Sequence, residues 1–152
     1  KIISLRYVVD QIIADNQQQF DKKNNEVENL VDTTCQVLAD EHMLRTVLRN
    51  LLMNANKFTN HGRITISNTA VDTMAKICIA DTGVGMDQLQ VSKMFNWDKR
   101  TSTKGTSGER GSGFGLLVSQ EFAEKNGGRM WVESVPMEGS KFYFTLHQYH
   151  AE

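Results

Sequence analysis

Residues 44–58 read LRTVLRNLLMNANKF, and the fold turns on how this stretch is read. Leu44, Val47, Leu48, Leu51, Leu52 and Ala55 recur at the steps of a one-sided helix, so the segment lays an apolar stripe on a core. Beside the stripe, Asn50, Asn54 and Lys57 are spaced by four and three residues and form a second row along one edge. Asparagine costs roughly half a kcal/mol against alanine in a helix, and a merely solvated flank would more naturally carry glutamate, lysine or arginine. Asn50, Asn54 and Asn56 together therefore ask for a reason. One reading is functional: an amide oxygen is a hard neutral ligand for magnesium, and a lysine ammonium meets phosphate oxygens. The other is an ordinary polar flank, and this helix alone leaves both open.

Toward the N-terminus, Leu5, Val8, Val9, Ile12 and Ile13 predict an amphipathic helix, followed by a polar loop in QQQFDKKNN. Short strands are predicted around EVENLV and TCQVLA. Beyond the asparagine helix, RITISN and AKICIAD alternate β-branched residues and suit a hairpin, with Asp81 closing the second strand. A short helix is expected from about Met86, then a mobile, glycine-rich loop over residues 96–112, where no periodicity survives. Phe114, Leu117, Val118 and Phe122 predict one helix face, Asn126-Gly127-Gly128 its stop, and RMWVES and KFYFTL a strand pair across PMEG. The residues after Leu146 read as a tail. The predicted fold class is α/β (α+β), a two-layer sandwich with helices on one face of a sheet. Residues 1–25 are expected to form an N-terminal helix and linker, and residues 26–152 a single domain.

A chain of 152 residues with 39% apolar content supports one core. With a formal net charge of -1 and no run of lysine or arginine, it lacks the electrostatic footprint of a nucleic-acid binder. The opening KIISLRYVVD is neither a signal peptide nor a membrane span and reads as an internal cut, so no membrane contact is expected. Cys35 and Cys78 are isolated, without CxxC or histidine spacing, which points to a reducing, cytoplasmic setting rather than a disulfide framework or zinc site.

Two glycine clusters carry the remaining signal. Asp81-Thr82-Gly83-Val84-Gly85 follows directly on a strand, so a carboxylate sits at a strand end while glycines let the backbone turn close to a ligand. A carboxylate so placed can accept a hydrogen bond from an exocyclic amine such as that of adenine. Gly111-Ser112-Gly113-Phe114-Gly115-Leu116 opens a helix, where backbone N–H groups and the helix dipole favour phosphate. Neither matches GxGxxG or GxxxxGK[ST], so no Rossmann or Walker site is expected.

Taken in order, NLLMNANKFT, DTGVGM, Phe95 and GSGFGL resemble the N, G1, F and G2 boxes of the histidine kinases, within the wider superfamily that includes gyrase and Hsp90. The resemblance covers residues 26 to 146. It implies a Bergerat-type fold, a mixed and mostly antiparallel sheet with ATP held beside its helices under a flexible lid at about residues 96–112. It implies that Asn54 binds Mg2+, that Asn50 and Lys57 face phosphates, that Asp81 binds adenine and that Phe58 packs near the base. Met86, Phe95, Ser112, Phe114 and Leu116 would line the site, and Gly83, Gly85, Gly111, Gly113 and Gly115 would shape pocket and lid. Arg100, Lys104 and Arg110 are lid cations within reach of the terminal phosphate by the same resemblance.

The ATP-hydrolysing relatives resemble one another in carrying a glutamate four residues before the magnesium-binding asparagine, as general base for water. Here that position is Asn50, and an amide cannot take a proton from water. The resemblance thus implies a histidine kinase catalytic domain that passes the γ-phosphoryl group of ATP to a histidine on a separate dimerisation domain of the same parent protein, and from there to a response regulator. A nucleotide-sensing pseudokinase module or a GHKL-type ATPase is the alternative. His42-Met43-Leu44-Arg45-Thr46-Val47 approaches an acceptor motif but lacks the acidic residue and the proline, so the acceptor histidine is expected outside this chain.

Overall fold

The structure, a computed structural model, describes residues 1–94 and 114–150. The expected lid at 96–112, with Phe95, Arg100, Lys104, Arg110, Gly111, Ser112 and Gly113, lies outside the described residues.

The asparagine stretch forms α3 (Glu41–Lys57), and every residue of its predicted stripe is buried. Its start is fixed by Asp40, whose side chain accepts from Met43 N at 2.9 Å, while Glu41 in the first turn and Lys57 in the last both suit the helix dipole. The stripe packs on a five-stranded sheet of order β2-β4-β5-β7-β6, from β2 (Glu26–Asn29), β4 (Arg63–Val71), β5 (Met74–Asp81), β6 (Met130–Val135) and β7 (Gly139–His147). β2 is parallel to β4 and every other pair is antiparallel, so the sheet is mixed and mostly antiparallel. Alternation sends Ile64, Ile66, Ile77, Ile79, Phe142, Phe144 and Leu146 into one core with the helices, while Thr65, Lys76, Cys78, Trp131 and Tyr143 stand half-buried on the opposite face. There Trp131 stacks on Tyr143 with ring centroids 5.1 Å apart, a packing role.

The N-terminal stripe forms α1 (Leu5–Asp15), and Leu5, Val8, Val9 and Ile12 join the same core. QQQFDKKNN departs from the expected loop: Gln17–Lys22 is a short helix, α2, because Phe20 is fully buried and anchors it. One apolar residue in a polar run gives no periodicity from which to read a helix. β1 (Ile2–Ser4), which the pattern did not indicate, pairs antiparallel with β3 (Gln36–Leu38) in a separate two-stranded sheet. The expected tail is docked too: Gln148 bridges Val37, and Tyr149 N donates to Gln36 O at 2.8 Å.

The strand expected at RITISN runs on to Val71 and turns through Asp72 and Thr73, Asp72 at φ 56°. The short helix α4 (Gln88–Met94) begins after Asp87, whose Oδ1 accepts from Gln90 N at 2.8 Å while Gln90 Oε1 accepts from Asp87 N at 2.9 Å, a reciprocal cap. In α5 (Phe114–Lys125) the buried face is Leu116, Ser119, Phe122 and Ala123, and Val118 faces solvent, unlike the predicted grouping. α5 packs on α3, and its buried face includes the small residues Ser119 and Ala123. The predicted stop holds: Gly128 N reaches Ala123 O at 2.8 Å and Gly127 N reaches Glu124 O at 3.1 Å. Among the described residues no helix is long and apolar enough to cross a membrane.

Candidate functional site

The three asparagines of α3 part ways in the structure. Asn56 is buried and structural: its Oδ1 accepts from Asn25 Nδ2 at 2.8 Å, and its Nδ2 donates to Gln19 O at 3.2 Å. Asn50 and Asn54 are half-buried on the other edge, and among the described residues their side-chain amides make no hydrogen bond. Two uncommitted amides side by side on a well-packed helix suit a ligand, since the helix itself gains nothing from them. Lys57 follows in the same row, its ammonium 4.9 Å from the centroid of the Phe58 ring.

α3 packs on β5, which delivers Asp81 to the same end of the sheet. Asp81 is buried, and two backbone donors, Gly83 N at 2.9 Å and Ser140 N at 3.3 Å, meet the same oxygen, Oδ1. Burial pushes its carboxyl above the ordinary carboxylate value, partly offset by the N–H groups of Gly83 and Ser140 and by the nearby Thr59 hydroxyl. Thr59 Oγ1 is itself fully buried and, among the described residues, has no partner in hydrogen-bonding geometry. A buried hydroxyl left unpaired costs about 1–3 kcal/mol, so its place beside Asp81 fits a ligand or ordered water that completes both groups.

The glycine turn after Asp81 is set by backbone crowding. A Cβ at Gly83 would stand 2.2 Å from Phe58 O, and Gly85, at φ +68°, would bring one within 2.0 Å of Val135 O. Only glycine lets this turn lie between the end of α3 and the β6–β7 hairpin. Val84 N donates to Phe58 O at 3.1 Å, which joins the half-buried Phe58 directly to the turn. Met86 N donates to Ser134 Oγ at 2.8 Å, and Ser134 Oγ lies 2.7 Å from Ser140 Oγ.

Of the residues singled out from sequence, Phe58, Asp81, Gly83 and Met86 are joined through hydrogen bonds of the glycine turn, in which Gly85 also lies, with Asn50, Asn54 and Lys57 on the helix packed against its strand. Phe114 and Gly115 open α5, and Leu116 is buried in the core there. Thr59, Ser134 and Ser140 were not anticipated. Strand pairing brings Ser140 opposite Asp81, a register that no local pattern reveals. His42 is an exposed residue of the first turn of α3, an ordinary helix start.

Comparison with known proteins identifies the family and the fold. A family profile described as histidine kinase-, DNA gyrase B-, and HSP90-like ATPase matches residues 39–150. Over 115 residues the chain is 38% identical to the adaptive-response sensory kinase SasA of Microcystis aeruginosa, covering 74% of this chain and 29% of that protein. The fold matches the nucleotide-free catalytic domain of histidine kinase ThkA at a TM-score of 0.83 and 22% identity, covering 97% of this chain and 95% of that one. Full-length ShkA in complex with AMPPNP gives a TM-score of 0.83 at 25% identity, covering 99% of this chain and 31% of that chain. The chain thus spans under a third of SasA and of ShkA. With the profile running from just before α3 through β7, the chain belongs to the histidine kinase-, DNA gyrase B- and HSP90-like ATPase family.

Proposed function

We propose that this chain is the ATP-binding catalytic domain of a sensor histidine kinase, acting in the cytoplasm in two-component signal transduction. The observation that carries the proposal is the contrast on α3: Asn56 spends its amide on the fold, whereas Asn50 and Asn54 leave theirs for a ligand. Family membership supplies the nucleotide, and the kinase relatives supply the reaction class.

In this reading Asp81 and the buried Thr59 hydroxyl recognise the adenine edge, with Phe58 and Met86 against the base. Asn50 and Lys57 face the phosphates. Gly83 and Gly85 hold the turn, and Phe95, Arg100, Lys104, Gly111, Ser112, Gly113, Phe114, Gly115 and Leu116 belong to the lid side of the site. Mg2+ fits the donor set: one neutral amide oxygen, from Asn54, suits an ion that keeps waters and phosphate oxygens as its other ligands, and it supplies charge neutralisation when bound. With Asn50 where a water-activating glutamate would stand, that position holds an amide that cannot act as base for water, and the site orients ATP for transfer. The acceptor imidazole on a separate dimerisation domain forms the N–P bond as the bond from phosphorus to the β–γ bridging oxygen breaks. ADP leaves with the electron pair, and the imidazole proton passes to an acidic residue of the acceptor domain. A response regulator is the onward partner, and neither nucleic acid nor membrane is engaged by this domain.

Calorimetric titration with a non-hydrolysable ATP analogue, with and without magnesium and beside a GTP analogue, tests the binding step. Adenine-selective, magnesium-dependent binding is expected, and no binding overturns the reading. Mixing the domain and ATP with the parent protein's dimerisation domain tests transfer. Phosphohistidine is expected, and binding without transfer favours a nucleotide-sensing module instead.

A further inference from the structure

The segment between α2 and β2 is an unusual place to bury polar side chains, yet Lys23 and Asn25 are both buried there, facing the buried Asn56 of α3. Lys23 and Asn25 both reach for the stretch that ends the asparagine helix. Lys23 Nζ donates to Lys57 O at 2.8 Å. Asn25 Nδ2 donates to Asn56 Oδ1 and to Thr59 O, each at 2.8 Å, and Asn25 Oδ1 accepts from Gly62 N at 3.0 Å. The backbone continues the clamp, with His61 N on Lys23 O at 2.8 Å and Glu26 N on Gly62 O at 2.9 Å.

Residues 57–62 are thus gripped from one side by residues 23–26. On their other side they meet the glycine turn: Phe58 O accepts from Val84 N, and the Gly83 backbone lies so close that a Cβ would be 2.7 Å from Thr59 Oγ1. Arg63 N, next in line, donates to Thr82 Oγ1 at 2.9 Å. Asn25 alone bonds to the side chain before Lys57, to the carbonyl of Thr59 and to the amide of Gly62. A fully satisfied buried amide of this kind fixes one backbone arrangement, because each alternative leaves a buried donor or acceptor unpaired.

We propose that Asn25 is a positioning residue of the nucleotide site. It touches no ligand itself; it holds Phe58 and Thr59 against the Asp81–Gly85 turn and so sets the base pocket. The proposal rests on the nucleotide reading above.

The test is made on the 152-residue chain. Asn25→Ala is titrated with the magnesium complex of a non-hydrolysable ATP analogue, and exchange of the Val84 amide proton is followed without nucleotide. Ile12→Val, a core truncation in α1 that removes none of the clamp's hydrogen bonds, is the matched control for lost stability. Asn25→Ala is expected to bind roughly tenfold more weakly and to lose protection at Val84, with Ile12→Val changing neither. Asn25→Asp keeps the size and the acceptor for Gly62 N but loses both donated bonds, and it carries the same test should the alanine variant not fold. Unchanged affinity and unchanged Val84 exchange overturn the proposal, as does an equal loss in the Ile12→Val control. Failure of the unsubstituted chain to bind instead sinks the nucleotide reading, and the Val84 comparison still reports whether Asn25 sets the turn.

Discussion

Ser134 Oγ stands 2.7 Å from Ser140 Oγ, across the hairpin that joins β6 to β7. Ser140 N reaches Asp81 at 3.3 Å and Met86 N reaches Ser134 Oγ at 2.8 Å, so the pair connects the buried carboxylate to the residue that ends the glycine turn. Ser134→Ala removes the acceptor for Met86 N. We expect a loss of about 1 kcal/mol in urea unfolding, a weaker affinity for adenine nucleotide, and recovery of both in Ser134→Thr. An alanine variant with native stability and affinity would show that the chain of hydroxyls holds nothing.

Asp81 is expected to set stability and binding against each other. Its carboxyl is held above the ordinary value of 3.8, chiefly by burial, so the native state binds more protons than the unfolded chain between that value and the folded pKa. Stability therefore falls as pH rises through this window, and the ionised form is a cost at neutral pH. Asp81→Asn, which keeps an acceptor for Gly83 N, is expected to unfold at a temperature at least as high as the parent at pH 7. The difference between the two should shrink toward pH 4, roughly the low end of the window. The same variant should lose preference for ATP over GTP. A melting point that drops at pH 7 would mean that the carboxylate is net stabilising.

Asn54 and Asn56 make a paired comparison within one helix. Asn54→Ala removes an amide that makes no hydrogen bond among the described residues, so stability should hold or rise by up to about 0.5 kcal/mol, while magnesium-dependent nucleotide binding is lost. Asn56→Ala strands Asn25 and is expected to cost about 1–3 kcal/mol. Thermal unfolding and calorimetry on both variants decide it. If Asn54→Ala keeps its magnesium-dependent affinity, the assigned metal role fails.

Thr59→Val exchanges a buried hydroxyl, unpartnered among the described residues, for a methyl of similar shape. Apo stability should be kept or improved, and affinity for the ATP analogue should fall several-fold, by about 1 kcal/mol or less. Unaltered affinity would assign the hydroxyl to internal packing alone.

Much of this was legible before any coordinates. Leu44 to Ala55 at helical spacing admits one reading, and alternation in RITISN and AKICIAD admits one pairing, since each pattern has a single face to bury. The Asn50, Asn54 and Lys57 row and the position of Asp81 followed from the same periodicities. What stayed hidden depends on partners far along the chain. Phe20 orders α2 only because a core awaits it, and β1 and Tyr149 are ordered only because Gln36–Leu38 lies between them. Val118 misled because α5 turns its small residues, Ser119 and Ala123, inward. Ser134, Ser140 and Thr59 enter the site through register and chain reversal, and Asn56 leaves it because Asn25 claims it.

β3, only Gln36–Leu38, has a further consequence. Val37 pairs with Ile3 on one flank and with Gln148 on the other, so the first strand and the residue that follows β7 are fastened to opposite edges of one three-residue plate. Neighbouring strands lie about 4.8 Å apart, which leaves the two segments roughly 10 Å from each other. The chain leaves this plate at Leu38 and reaches Asp40, the cap of α3, two residues later. A pull between β1 and Gln148 is therefore borne by one short ladder and one bridge and enters the asparagine helix at its first turn, which makes β3 a mechanical coupling between these two segments and the helix that carries Asn50 and Asn54.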